Sequence, residues 1–287
     1  MTAAPLLGLA GWRLPGDHLD AVRLTHRAGA DGLQLDLGGP GRGPWLDAPG
    51  TVERILEHCA RLRVRPLAVA GNTLNDIGLH APPGGRDALR VRRVLIRVLD
   101  AAHALGAPLA FVPSFRRSAV TDRAELDRTA AVLAWAAAEA RARGLLLANE
   151  NDLDPARARR LVDQVAADGF RLLLDTYNPR VAGVDAVALV EAVHPWLAPH
   201  VHLKDGTGGV VARDLLGDGD GPVRESLAAL AAHGFRPEAL VLENDHRDGD
   251  PVRLALDLER ARDLARTHQP SAPHQPSVPH EPSASRP

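Results

Sequence analysis

Short apolar runs recur along the chain, separated by longer segments in which apolar residues return every three or four positions. The runs cover residues 6–10, 33–37, 66–70, 109–113, 145–150, 172–175, 200–203 and 240–243. Most of them do not alternate between apolar and polar, which is the pattern of strands buried on both faces of a parallel sheet. The intervening segments read as helices. Asp17 caps the first, where Leu19, Val22, Leu24 and Ala28 form a stripe; Thr51 caps the second. Further helices are expected over 86–105, from Thr121 or Asp122 to 143, and over 155–167, 184–193, 222–233 and 251–266. Pro155 and Pro251 fit the first helical turn, where the missing N–H has no partner to lose.

Strict strand–helix alternation over a chain of 287 residues, 45% of them hydrophobic, predicts an α/β fold: one closed (β/α)8 TIM barrel spanning residues 1–267. An open dinucleotide-binding sheet would want a glycine fingerprint after its first strand, and none is present. The glycine-rich stretch from Gly38 to Gly43 is interrupted by Pro40 and opens no helix directly, so it reads as a loop. Residues 268–287 differ in kind: His268-Gln269-Pro270-Ser271-Ala272-Pro273 is echoed twice in a Pro/His/Ser-rich tail that cannot bury a core and is expected to be disordered.

Charge narrows the partners. With 34 basic and 36 acidic side chains the formal net charge is −2, so no global field favours nucleic acid or an anionic membrane. Cys59, the one cysteine, permits no intrachain disulfide and fits a reducing compartment. The start shows no secretory pattern and no run is long enough to span a bilayer, so a cytoplasmic location is expected. A homo-oligomer is left open.

The chemistry concentrates where the later runs end. Glu150, Asp175, His202 and Glu243 close four consecutive apolar runs. A carboxylate or imidazole at the end of a buried strand loses hydration and needs compensation. In a (β/α)8 barrel these ends share one face, so the four predict one divalent cation: Mn2+, Mg2+, Co2+ or Zn2+. Rare residue types gather nearby, including Lys204, the only lysine, and Tyr177, the only tyrosine.

Four motifs, Asn149-Glu150, Leu174-Asp175-Thr176-Tyr177-Asn178, Val201-His202-Leu203-Lys204-Asp205 and Leu242-Glu243, resemble those of the xylose-isomerase-like barrels. That superfamily includes D-tagatose and D-psicose 3-epimerases, inosose-processing enzymes and hydroxypyruvate isomerases, and the likeness covers about residues 5–266. It implies a metal quartet of Glu150, Asp175, His202 and Glu243, with Glu150 and Glu243 doubling as the acid/base pair. It implies a small-molecule substrate, a sugar or polyol-derived ketone isomerised or epimerised through an enediolate. Asn178, Lys204, Asp205, Arg213 and Trp12 are the expected substrate contacts, with Trp45 a second candidate wall and Asp205 able to pair Lys204 or orient His202.

Asn178 stands where many relatives have a histidine. The loop after the eighth run, Asn244 to Asp248, is acidic and offers no phosphate cradle, so an unphosphorylated substrate is expected. The alternatives are a metal-dependent dehydratase acting on an inosose-like ketone, a barrel that binds its ligand without turnover, and an apurinic-site endonuclease. The last would need further metal ligands on the early strands, which end in Trp12, Asp36, Asn72 and Pro113-Ser114.

Overall fold

In the computed structural model, which describes residues 4–267, the eight apolar runs form a closed parallel barrel. Its strands are β1 (Leu6–Ala10), β2 (Gly32–Asp36), β3 (Arg65–Ala70), β4 (Leu109–Pro113), β5 (Leu146–Glu150), β6 (Phe170–Asp175) and β7 (Leu197–Leu203). A small antiparallel hairpin, β8 (Gly206–Thr207) with β9 (Val210–Val211), interrupts the series before β10 (Ala239–Leu242). Around the ring the order is β1-β10-β7-β6-β5-β4-β3-β2, closed by Leu6 pairing with Ala239 and Leu9 with Leu242. The expected tail, residues 268–287, lies outside the described residues.

The helices are α1 (His18–Ala28), α2 (Thr51–Leu62), α3 (Leu74–Ile77), α4 (Arg86–Ala104), α5 (Arg123–Ala142), α6 (Pro155–Val165), α7 (Asn178–Val181), α8 (Ala186–Val193), α9 (Val223–Ala232) and α10 (Pro251–Thr267). Asp17 and Asp20 form a reciprocal capping box on α1, an arrangement typically worth about 1 kcal/mol. Thr51 does not cap α2; the left-handed Gly50 precedes it and Thr51 is the first helical residue. The sequence pattern misses α3, α7 and the hairpin, because elements of two to four residues are too short to show a period.

The core has two layers. Val22, Ile55, Leu95, Leu133, Leu161 and Val190 pack between barrel and helices. Inside the barrel the side chains are mostly small, Ala68, Ala70, Ala148 and Ala198, with Phe111 and Leu109 filling the remaining space. At Gly32 even a methyl would meet Leu67 Cγ at 2.6 Å and the Arg65 carbonyl at 2.7 Å, so β2 approaches β3 only as glycine. No helix among the described residues is long and apolar enough to cross a membrane.

Candidate metal and catalytic site

The C-terminal strand ends open onto a cavity of about 510 Å3 whose floor carries Glu150, Lys204 and Glu243. Glu150 ends β5, Asp175 ends β6 and His202 is the penultimate residue of β7. Glu243 lies one residue past β10, but its N–H still donates to the Leu203 carbonyl at 2.9 Å and holds it in the ring. All four are buried, and one ligand atom from each falls within 4.8 Å of every other.

Two of the acids are fastened by one oxygen and direct the other inward. Asp175 Oδ1 accepts the backbone N–H groups of Tyr177 (2.8 Å) and Asn178 (2.6 Å), leaving Oδ2 to face the Lys204 ammonium. Glu243 Oε1 accepts from the Trp12 indole (3.0 Å) and Arg13 Nε (3.3 Å), leaving Oε2 to face the same ammonium and His202. Glu150 Oε1 accepts from the Asn178 amide at 3.0 Å.

The histidine is oriented from behind. Gln34 Oε1 lies 2.8 Å from His202 Nε2, and an amide oxygen only accepts, so Nε2 carries a proton and Nδ1 is the ring nitrogen turned toward the carboxylates, the one that could ligate a cation after giving up its own proton. Gln34 is held in turn by donating to His200 Nδ1 at 3.4 Å, and burial pushes the His200 imidazole down to about 4. His202 Nδ1 makes no hydrogen bond, yet sits 3.4 Å from Glu150 Oε1 and 3.2 Å from Glu243 Oε2. Asp175 Oδ2, Glu243 Oε2 and His202 Nδ1 converge on one buried point where the carboxylate oxygens meet only the Lys204 ammonium and the histidine, and two glutamates, an aspartate and a histidine can hold one divalent ion.

Lys204 is the resident cation. Its ammonium lies 2.8 Å from Asp175 Oδ2 and 2.7 Å from Glu243 Oε2, and donates to Asn178 Oδ1 at 3.2 Å. The field is therefore lopsided. Burial raises the Glu150 carboxyl, which His202 and Lys204 only partly offset. Burial would raise Glu243 too, but Lys204, Arg13 and His202 outweigh it and hold that carboxyl well below its ordinary range. Burial opposes charge on His202, yet Glu150 and Glu243 push its imidazole up to about 10.

The remaining expected contacts divide. Asn178, Lys204 and Trp12 line the cavity. Arg213 does not: its side chain is exposed, and its carbonyl accepts from Arg253. Trp45 packs on the core under the Arg97 guanidinium, 4.0 Å from the ring centroid, and is no pocket wall. Asp205 neither pairs Lys204 nor touches His202. It accepts the backbone N–H groups of Gly206, Gly217, Gly219 and Gly221 at 2.7–3.3 Å, so its carboxylate folds the loop after β7 around itself. A methyl at Gly219 or Gly221 would lie 2.3 or 2.6 Å from that carboxylate, which accounts for the glycine–acid turn.

Arg13, Gln34, Asp36, Arg42 and Arg116 stand at or behind the site without having been singled out from sequence. Asp36 lies 5% exposed in the wall, accepting from the Asn72 N–H at 3.1 Å, and burial raises its carboxyl to about 6. Because the folded value exceeds the unfolded one, the burial cost is absent at low pH, grows between about pH 4 and 6, and is complete above. Asp36→Asn is expected to stabilise the protein at pH 8 by roughly 2–3 kcal/mol and by about half that at pH 5. Denaturant melts at both pH values measure this; an equal gain at both would show that Asp36 does not titrate in this range.

The buried carboxylate–histidine centre lies at the C-terminal mouth of a (β/α)8 barrel, the face on which barrels of this kind carry their active sites. The profile of the xylose isomerase-like TIM barrel family matches residues 22–266, and the chain belongs to that family. It is 50% identical over 256 residues to 2-epi-5-epi-valiolone 7-phosphate 2-epimerase from Actinoplanes sp., covering 89% of this chain and 93% of that one. The fold superposes on D-psicose 3-epimerase with D-tagatose from Clostridium cellulolyticum at a TM-score of 0.73 and 16% identity, covering 91% and 98% of the two chains. It superposes on the IolI protein with a zinc atom at a TM-score of 0.74 and 15% identity, covering 92% and 99%. The protein is an enzyme of the isomerase and epimerase class.

Proposed function

We propose that this enzyme is a divalent-metal-dependent epimerase that inverts the hydroxyl-bearing carbon beside the ketone of a phosphorylated cyclic polyol. The observation carrying it is the 50% identity, over nearly the full length of both chains, to an epimerase whose named substrate is such a phosphate. The expectation of an unphosphorylated substrate is given up, because it rested on the loop after β10 alone.

Glu150, Asp175, His202 and Glu243 would hold the cation, and a bound divalent ion offsets the negative charge that builds on the ketone oxygen. Glu150 and Glu243 reach the floor of the cavity from β5 and from beyond β10, with β6 and β7 between them around the ring. One carboxylate removes the proton beside the ketone, and the C–H electron pair moves toward the carbonyl oxygen to give an enediolate. The other delivers a proton to the opposite face, so the carbon is inverted with no net change in composition. Asn178 holds Glu150 in place, and the Trp12 and Arg13 side chains hold Glu243. Buried walls keep bulk water from reprotonating the carbon at random.

The test is incubation of the Mn2+-reloaded enzyme with 2-epi-5-epi-valiolone 7-phosphate in D2O, followed by NMR of product after metal removal. One deuterium at carbon 2 and a mixture of two epimers is the expected result. Loss of water would instead make the enzyme a dehydratase, and no exchange at all would sink the reading.

Gln34 carries a separate prediction. Gln34→Leu removes the acceptor that keeps the proton on His202 Nε2. It is expected to weaken divalent-cation binding roughly 10- to 100-fold by calorimetric titration. Unchanged affinity would mean that packing alone orients the imidazole.

A further inference from the structure

We propose that Arg42 and Arg116, joined across Asp76 at the cavity mouth, form the anion subsite that receives the phosphate of the substrate. This rests on the reading of a phosphorylated ketone given above. Besides His18, the cavity is lined by five cationic side chains, and three are already matched. Lys204 bridges Asp175 and Glu243, Arg13 pairs with Glu243, and Arg247 forms a two-pronged pair with Asp245. Asp76 is different, because a single carboxylate serves two guanidinium groups. Its Oδ2 takes Arg42 Nε and Nη2, both at 2.7 Å, and its Oδ1 takes Arg116 Nη1 at 2.9 Å. The cluster keeps one uncompensated positive charge, and each guanidinium has further N–H donors to give.

Its place fits the ligand. Arg42 comes from the loop after β2, Asp76 from α3 after β3, and Arg116 from the turn after β4. In the closed ring β3 lies diametrically across from β7, which carries His202. A polyol held at the quartet by its ketone would thus extend its far end across the mouth to the arginines. The phosphate on carbon 7 is that far end, remote from the carbon that is inverted.

The backbone supports the same assignment. Arg42 rides a loop in which Gly38, Gly39, Gly41 and Gly43 all have positive φ, and Arg116 itself is left-handed at φ 55°. A non-glycine residue in that region is strained and persists where its surroundings impose it, often at ligand contacts.

The experiment titrates inorganic phosphate into the Mg2+-loaded full chain by calorimetry, for wild type and for Arg42→Gln, Arg116→Gln and Asp76→Asn. The arginine variants are expected to bind roughly 10- to 100-fold more weakly. Asp76→Asn, which frees both guanidinium groups, should bind several-fold more tightly, a gain that a misfolded variant would not produce. Absence of binding to wild type, or unchanged binding in both arginine variants, overturns the subsite. A parallel arm compares KM for the phosphorylated and dephosphorylated ketone, a preference that the arginine variants should lose. If wild type binds phosphate through the arginines yet turns over neither ketone, the substrate reading falls and the anion site stands. If it epimerises the phosphorylated ketone with KM unmoved by either arginine variant, the substrate reading stands and the subsite falls.

Discussion

Glu150→Gln and Glu243→Gln are each expected to slow epimerisation and solvent deuterium exchange by roughly 100- to 10,000-fold. The amide matches the carboxylate in volume and can still be a weak oxygen donor to a cation, but it cannot carry a proton to or from carbon. Both residues are buried and line the same cavity, which in the proposed mechanism would give the pair access to one substrate atom. Because each also belongs to the proposed metal quartet, rates need to be read at saturating Mn2+ with bound metal determined on the same samples. Asp175→Asn supplies the comparison. It weakens the same quartet without removing a proton carrier, so its activity should recover as metal is added, whereas the glutamine variants should not. A Glu150→Gln enzyme that recovered full rate with metal would remove Glu150 from the chemistry.

Lys204→Met is expected to lower the melting temperature of metal-free protein by on the order of 10 °C. The ammonium lies against Asp175 and Glu243 with almost no exposure, so its removal leaves buried carboxylates facing one another without a counter-charge. A divalent cation would compensate those same oxygens. The stabilisation gained on adding Mn2+ should therefore be larger in Lys204→Met than in wild type, because the metal no longer shares Asp175 Oδ2 and Glu243 Oε2 with an ammonium. Calorimetric melts with and without metal measure both shifts. An equal or smaller metal-induced shift in the variant would show that lysine and cation do not share their partners.

The barrel is legible in the sequence because most of its strands are short apolar runs and its longer helices are periodic. The quartet is legible for a related reason, since polar atoms at the ends of buried runs stand out against their surroundings. What holds the quartet is not legible. Trp12 meets Glu243 across 231 residues of sequence and Gln34 meets His202 across 168, and only ring closure brings them together. Gln34 in particular sits inside an apolar run, where nothing local distinguishes an orienting amide from a tolerated one. Asp205 misleads in the opposite sense. Its neighbourhood to His202 and Lys204 in the chain suggests a role toward them, but strand geometry turns it to the loop glycines instead. Arg42 and Arg116 look like ordinary surface arginines in an arginine-rich chain until Asp76 is seen between them.

Lys204 also has a practical side. It is the only side-chain amine in 287 residues, and it is buried at the floor of the site between two carboxylates. Reductive methylation with isotope-labelled formaldehyde can therefore place a single side-chain reporter in the whole protein, at the point where chemistry is expected. The rate at which that amine is labelled reports how often Lys204 leaves its two carboxylates and gives up its proton.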